Sequence, residues 1–175
     1  MSTHSETLIL GKNAQYTCLE GEVASGATVF PGMLVEETGT TPTTGEDTPT
    51  VQPVSTVEDA HSPVLVALTP DTPPHANDAD IPRQHEYDAG EHIEYAQVYA
   101  GEIQNLLVAN GADLATASEA NISYDDALAT NDDGAVKNAT GTDDGILRAR
   151  EAVDNSGGSG SDGPGDMARI RGLVI

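Results

Sequence analysis

The apolar residues of this chain occur in short runs rich in Val, Leu, Ile and Thr, and this pattern limits the fold most strongly. Clusters of Gly, Pro, Asp and Thr interrupt the runs about every 8 to 15 residues, a spacing typical of β-strands joined by turns. Only residues 103–110 also show helical spacing, and the flanking Gly101 and Gly111 favour a strand there. The sequence therefore predicts an all-β protein, with strands at residues 15–19, 33–37, 51–55, 63–69, 92–99, 103–108, 127–130, 135–139, 145–153 and 167–174.

An internal repeat divides these strands into two sets. Four segments of the first half match four segments of the second half in the same order: residues 19–23 with 99–103, 29–35 with 122–128, 51–55 with 136–140, and 64–67 with 146–149. Short strands leave bare edges unless a sheet closes on itself, so each copy is interpreted as a closed unit. We expect two tandem small antiparallel β-barrel or β-tulip-like units with long acidic loops.

The predicted boundaries follow from the loops between the apolar runs. Residues 1–11 are interpreted as a flexible N-terminal arm, residues 12–88 as the first β-barrel unit and residues 89–175 as the second. Three long segments, residues 38–50, 70–82 and 155–166, are predicted to be loops. The Pro-rich segment 70–82 is interpreted as the linker between the two halves.

The charge of the chain excludes several classes of protein. There are 29 acidic residues against 7 Lys and Arg, a formal net charge of -22, and the acids are dispersed in ones and twos. Dispersed acids indicate a folded surface rather than a disordered acidic tail. The composition resembles that of haloarchaeal proteins, because salt at about 1 M reduces the Debye length to ~3 Å and screens such repulsion. We expect no nucleic-acid partner, since phosphate binding needs clustered Lys and Arg, and no membrane span, which needs ~20 apolar residues.

Metal-ligand residue types occur, but not at the spacing of a known site. His85, Glu86, Glu91 and His92 cluster without an HExxH motif, so they are interpreted as solvated residues near a strand. The acid pairs before Gly134 and Gly145 lack the ligand ladder of an EF-hand, and they are interpreted as turns in which both glycines have positive φ.

No nucleophile motif or phosphate-binding loop is present in the sequence. With so many acids a carboxylate pair is unavoidable, so no single pair indicates a hydrolase. We therefore expect no enzyme activity, no catalytic residues, no cofactor and no metal site.

Three residues with a possible covalent role remain. Cys18 is the only Cys, which excludes an internal disulfide, and its alternating neighbours predict a buried residue in a strand. The triplets that begin at Asn121 and Asn138 match the N-glycosylation pattern, and both residues are hypothetical glycosylation sites.

The polar first six residues lack the basic and apolar regions of a secretory signal.

The second copy resembles the capsid decoration proteins, or head cement proteins, of tailed viruses. The likeness is carried by residues 122–129 (ISYDDALA), 131–140 (NDDGAVKNAT), 143–154 (DDGILRAREAVD) and 168–175 (ARIRGLVI). Asp125 and Asp126 stand where that family usually has Gly-Asp, and Arg148-Ala149-Arg150 replaces its usual Gly-Val-Ala. The first copy is a looser match through residues 31–35, 51–55 and 64–68.

The resemblance implies a lambda-head-decoration-like β-tulip protein on the outer surface of an HK97-type icosahedral capsid. It implies the major capsid protein as partner and a homo-oligomer, a trimer, as the assembled form. Leu8, Ile9 and Leu10 of the arm are the capsid-contact candidates, because an apolar strand can add to a sheet edge. Together with the charge, it predicts a structural virion protein from a tailed virus of haloarchaea. The alternative is a non-catalytic surface or adhesion β-sandwich module of a haloarchaeon.

Overall fold

A computed structural model of the protein describes residues 17–39, 48–54, 64–69, 85–141, 145, 147–158 and 168–175. The predicted arm, residues 1–11, lies outside the described residues, and with it the capsid-contact candidates Leu8, Ile9 and Leu10. The greater part of each of the three predicted loops also lies outside them.

The described residues form β-strands connected by turns and two short 3-10 helices, Gly111–Asp113 and Ala117–Ala120. The strands are β1 (Thr17–Val23), β2 (Leu34–Thr38), β3 (Thr50–Pro53), β4 (Val64–Ala67), β5 (His92–Val98), β6 (Ile103–Leu107), β7 (Asn121–Ile122), β8 (Ala127–Thr130), β9 (Val136–Asn138), β10 (Leu147–Ala149), β11 (Val153–Asp154) and β12 (Arg169–Val174). The all-β prediction is confirmed, and each of the ten predicted strands overlaps an observed one. No helix among the described residues has the length and apolar character needed to cross a membrane.

Ten of the strands form two five-stranded sheets that correspond strand by strand, and β7 pairs with β11 in a separate two-stranded sheet. The first sheet is a closed barrel with the order β1-β3-β2-β4-β5, and the second has the order β6-β12-β10-β8-β9. Read around the barrel from β3, the first sheet has the order β3-β2-β4-β5-β1, and read from β9 the second has the order β9-β8-β10-β12-β6. The second sheet therefore repeats the first, with β6, β8, β9, β10 and β12 in the places of β1, β2, β3, β4 and β5. The small β7–β11 pair corresponds to the isolated bridge between Val29 and Tyr87. The predicted internal repeat is therefore present in the topology.

The first sheet closes into a barrel through the parallel pairing of β1 with β3, and the two ends of the second sheet meet at a single parallel bridge after β6. We call this contact the seam of each unit. In the first unit Val23 pairs with Val51, and in the second Val108 forms a parallel bridge with Val136. The residue that follows makes an equivalent backbone hydrogen bond in each unit. The Ala24 N–H donates to the Val51 carbonyl oxygen at 2.8 Å, and the Ala109 N–H donates to the Val136 carbonyl oxygen at 2.9 Å. Each of these residues in the second unit lies 85 positions after its counterpart in the first, which fixes the alignment of β1 with β6.

Two details of the predicted organisation differ from this alignment. Residues 19–23 do not correspond to residues 99–103, since Gly101 lies in the turn before β6 with φ 94°. The barrel of the first unit also extends beyond the predicted boundary at residue 88, because β5 pairs with β1 and β4. The two units therefore meet between residues 98 and 103. The Pro-rich segment that was interpreted as the linker precedes the last strand of the first unit instead.

Most of the side chains that fill the two barrel interiors are repeat-equivalent. The interior of the first unit is lined by Val23, Val29, Val35, Val51, Ala67, Tyr87, Ile93 and Tyr95. The interior of the second unit is lined by Leu106, Val108, Ile122, Leu128, Val136, Leu147, Ala149 and Ile170, and it is continuous with the buried outer side of β2, β4 and β5. One connected apolar region thus joins the second barrel to the first.

A pair of glycines makes the packing of the two interiors complementary. Gly21 of β1 lies beside Tyr95, whose ring would be 3.2 Å from an added Cβ. In the second unit the sizes are exchanged, because Leu106 occupies the place of Gly21 and Gly172 occupies the place of Tyr95. A Cβ on Gly172 would be 2.7 Å from Leu106 Cδ1. Each barrel therefore has room for one large side chain at this level.

Two residue-level predictions are wrong for reasons of strand geometry. Cys18 is exposed rather than buried, because it lies on the outer side of β1 with Glu20, whereas Gly21 and Val23 point inward. Gly134 has the predicted positive φ, 79°, but Gly145 does not. A Cβ on Gly145 would lie 2.7 Å from that of Ala127, so the close approach of this residue to β8 requires Gly there.

Candidate interaction surfaces

The junction between the two units is built around the turn at residues 30–34, and all five residues are buried. The Leu107 N–H donates to the Gly32 carbonyl oxygen at 2.9 Å, and the Leu34 N–H donates to the Gly134 carbonyl oxygen at 2.8 Å. In the first unit the places of Leu107 and Gly134 are taken by Glu22 and Pro49, which bond to each other directly at 3.0 Å. The turn of the first unit therefore occupies the seam of the second unit.

Gly32 is required at this junction. Its φ is 90°, and an added Cβ would be 3.1 Å from the Asn105 oxygen and from the Leu107 nitrogen. The Arg169 guanidinium lies closest of all to that position. A residue other than Gly rarely adopts this positive φ, and any side chain at this position would have to displace β6.

The second unit has the same turn at residues 123–127, but it faces solvent. The Asp126 N–H donates to the Ser123 carbonyl oxygen at 3.2 Å, just as the Met33 N–H donates to the Phe30 carbonyl oxygen at 3.1 Å. Asp125 has φ 69° and takes the place of Gly32; it is the non-Gly residue with positive φ among those described. The place of the buried Pro31 is taken by Tyr124, whose exposed fraction is 62%.

Next to this turn lie three Arg side chains: Arg148 in β10, Arg150 directly after β10, and Arg171 in β12. We call Tyr124, Arg148, Arg150 and Arg171 the basic face. Arg148 Nη1 donates to the Asp125 carbonyl oxygen at 3.1 Å, and Arg150 Nη1 lies 3.5 Å from the Tyr124 hydroxyl and 3.7 Å from Asp125 Oδ1. The Arg150 N–H donates to the Arg171 carbonyl oxygen at 2.8 Å, which holds the two residues side by side.

The basic face is partly neutralised but stays open to solvent. Arg171 Nε donates to Glu151 Oε2 at 3.1 Å, and its side chain remains 47% exposed. Arg150 is 32% exposed. Of the seven Lys and Arg in the chain, three lie on this one face. Sequence reasoning noted Arg148 and Arg150 only as a departure from a family pattern, because the register that brings Arg171 beside them is not visible in the sequence.

The outer side of β1 and β5 carries the opposite charge. We call Glu20, Glu22 and Glu94 the carboxylate face. Glu20 stands directly opposite Glu94 in the antiparallel ladder, and Glu22 stands opposite His92. Glu20 is 65% exposed and His92 is 61% exposed, with His92 Nε2 3.8 Å from Glu20 Oε2. Like charges directly opposite each other in a ladder are unfavourable unless a cation approaches them.

The His and Glu residues that the sequence grouped together separate into different pairs. His85 Nε2 lies 3.8 Å from Glu91 Oε2, which also accepts the Asp88 N–H at 2.8 Å, whereas His92 pairs with Glu20. Among the described residues there is no group of three or more His, Cys, Asp or Glu side chains arranged to hold a metal ion.

The hypothetical glycosylation sites differ in their surroundings. Asn121 is exposed at the start of β7. Asn138 is half-buried in β9, and its Nδ2 donates to Asp126 Oδ2 at 3.1 Å. Both assignments stay predictions.

Among the residues that the structure describes, three ionisable groups have shifted pKa values with clear causes. Burial raises the pKa of Asp133, against the hydrogen bond of 3.0 Å that its Oδ1 accepts from the Ala135 N–H. Burial also raises the pKa of Tyr95, whose hydroxyl donates to Glu37 Oε1 at 2.6 Å. Hydrogen bonds from the Ser156 hydroxyl and N–H lower the pKa of the exposed Asp154.

The fold of the chain is similar to that of a solved phage structure. The fold is similar to that of the N base of head fiber gp8.5 in bacteriophage phi29, with a TM-score of 0.54 and 12% sequence identity. The match covers 92% of this chain and 95% of the phage chain. No protein-family model and no curated protein sequence matches the chain.

Proposed function

We propose that this chain is a structural protein of a virus head, where it is attached to the outer surface of the shell and contributes binding rather than catalysis. The observation that carries the proposal is the fold similarity to a phage head fiber base over almost the whole of both chains. At 12% identity that similarity establishes the fold, and the step to a role in the virion is our inference.

The sequence supports the same proposal independently. The resemblance of residues 122–175 to head decoration proteins rests on turn and strand motifs, and it is separate from the comparison of three-dimensional structures. We propose the major capsid protein of an HK97-type shell as partner, with Leu8, Ile9 and Leu10 of the arm as contact candidates. A ligand that binds only the assembled shell would stabilise the shell by mass action.

The acidic surface fits assembly in concentrated salt. The net charge of -22 would repel a negatively charged shell in dilute buffer, whereas salt near 1 M limits such repulsion to distances of about 3 Å. We propose that the host environment is hypersaline, as in the haloarchaea whose proteins the composition resembles.

The proposal is tested by binding to heads of the virus that encodes the chain. The purified chain is mixed with empty heads in about 2 M KCl and centrifuged, with an unrelated acidic protein of similar size as control. We expect co-sedimentation that saturates at a fixed number of chains per head, and cryo-microscopy density outside the shell. Absence of saturable binding, together with virions that show no external density, would overturn the proposal.

A further inference from the structure

We infer that the basic face of one copy of this chain binds the carboxylate face of a second copy, so that the protein associates head to tail. The basic face offers three Arg side chains and an exposed Tyr, and the carboxylate face offers three Glu side chains. This inference goes beyond the proposed function and does not depend on it, because it concerns the chain alone.

The chemistry of the basic face is that of a binding surface for carboxylates. Arg forms paired hydrogen bonds to carboxylates, and Arg and Tyr are enriched among the residues that contribute most to protein interfaces. The backbone bond between Arg150 and Arg171 holds these two residues side by side, and the bond of the Arg148 side chain to the Asp125 carbonyl oxygen orients that guanidinium group. Such a surface is organised before a partner arrives, which lowers the entropic cost of binding.

The existing partners of the Arg residues leave capacity for a second carboxylate. Arg150 is 3.7 Å from Asp125 Oδ1, beyond hydrogen-bond distance, and Arg171 uses Nε for Glu151. A guanidinium group has five N–H donors, so each of these residues has donors beyond those used in these contacts. An incoming carboxylate therefore adds bonds without breaking the present ones.

The carboxylate face supplies the opposite charge. Glu20 and Glu94 lie on the same side of the ladder and directly opposite each other, and Glu22 follows two residues along β1. The repulsion between the Glu20 and Glu94 carboxylates is relieved when Arg side chains approach, which adds to the attraction between the two faces. The corresponding positions of the second unit are Asn105, Leu107 and Arg171, so the carboxylate face occurs only on the first unit among the described residues.

The repeat makes these two faces distinct surfaces of one molecule. Glu94 and Arg171 occupy equivalent positions on β5 and β12, 77 residues apart, and they carry opposite charges. Because each copy has one face of each sign, the contact is heterologous, and successive copies form either a closed ring or an open filament. Two chains of strong negative net charge associate once salt screens their overall repulsion, while contacts of 3 to 4 Å keep part of their attraction.

Sedimentation velocity at about 0.3 M KCl tests the inference, with circular dichroism to verify that each variant is folded. The basic-face variant is Arg148→Glu/Arg150→Glu/Arg171→Glu, and the carboxylate-face variant is Glu20→Lys/Glu22→Lys/Glu94→Lys. The control variant, Glu86→Lys/Asp88→Lys/Asp132→Lys, changes the net charge as much as the second variant does, at exposed positions outside both faces.

We expect the wild type and the control variant to associate, and each face variant alone to dissociate at least about tenfold more readily. A mixture of the two face variants should associate again, since each supplies the charge that the other lacks. A monomeric wild type, unchanged association of the basic-face variant, or failure of the mixture to associate would overturn the inference. Binding of an oligonucleotide that requires the three Arg residues would overturn it as well, since the face would then belong to a nucleic acid.

Discussion

Gln104 is buried in the interior of the second barrel, and its side-chain oxygen and nitrogen have no hydrogen-bond partner among the described residues. The equivalent position of the first barrel is Leu19, which is apolar. We expect Gln104→Leu to raise the free energy of unfolding by about 1 to 3 kcal/mol, because the cost of burying two unsatisfied polar atoms is removed. Urea denaturation at fixed salt measures this change.

The control for this substitution is Gln52→Leu. Gln52 Nε2 donates to Glu36 Oε1 at 2.7 Å, so its replacement removes a bond that is formed. Gln52→Leu should not increase stability. A decrease in stability for Gln104→Leu would contradict the prediction and would indicate a bound water or another partner for the amide.

Asp133 makes stability depend on pH in a defined direction. Burial raises its pKa in the folded state above the unfolded value of about 4, so the folded protein favours the protonated form. The ionised form therefore costs stability at neutral pH, and this cost disappears as the pH falls through the folded pKa. We expect Asp133→Asn, which keeps an oxygen acceptor for the Ala135 N–H, to be more stable than the wild type at pH 7.

Thermal unfolding of Asp133→Asn and wild type between pH 7 and pH 3 follows this difference. The difference between the thermal midpoints of the two proteins should narrow as the pH falls. Asp132→Asn is the control, since Asp132 is exposed and the change in net charge is the same. Equal gains for both substitutions would show that general charge reduction, rather than burial of Asp133, is the cause.

At the scale of an element, the turn at residues 30–34 and its copy at residues 123–127 have the same backbone but different surroundings. Gly32 lies at the junction with φ 90°, and Asp125 lies in solvent with φ 69°. We expect Gly32→Ala to lower the free energy of unfolding by about 2 to 4 kcal/mol, because it combines an unfavourable φ with overlap at β6. Asp125→Ala should change it by less than about 1 kcal/mol.

Denaturation of both variants in the same buffer provides the comparison. The repeat-equivalent Asp125→Ala is the matched control, since both changes place Ala in the same turn. Similar effects for the two substitutions would mean that the position of Gly32 in the seam of the second unit adds nothing to stability.

The strands could be predicted from sequence because each apolar run and each turn signal is local. The separations of 93, 85 and 82 residues between matching segments also located three pairs of equivalent strands correctly. The seam could not be found in this way, since the bonds of Leu107 and Leu34 across it are made by backbone groups, which leave no mark on side-chain type. The two-residue strands β7 and β11 are also too short to give a pattern.

The candidate surfaces were predictable only in part. The basic residues can be read from the sequence, but their grouping depends on the pairing of β10 with β12. The opposition of Glu20 and Glu94 likewise depends on the register of β1 against β5, strands separated by about 70 residues. Long-range register is set by closure of the barrel, and one sequence alone does not contain it.

For the whole molecule, the net charge of -22 makes stability depend on salt. Repulsion among dispersed acids opposes the compact state, and added ions screen it. We expect the thermal midpoint to rise by at least about 4 °C between 0.1 and 2 M KCl, which corresponds to about 1 to 2 kcal/mol.

Differential scanning calorimetry in KCl measures this shift. A neutral osmolyte of matched water activity is the control, because it does not screen charge. An equal rise in the osmolyte would attribute the effect to exclusion from the protein surface, and a midpoint independent of KCl would contradict the prediction.

The turn of the first barrel in the seam of the second has a consequence for the history of the gene. Here the second copy keeps Leu107 and Gly134 as bonding groups for its predecessor, while the first copy joins Glu22 to Pro49 by itself. Loss of the first copy would leave the Leu107 N–H and the Gly134 carbonyl oxygen without these partners, so we expect such a deletion to destabilise the second copy and to be selected against.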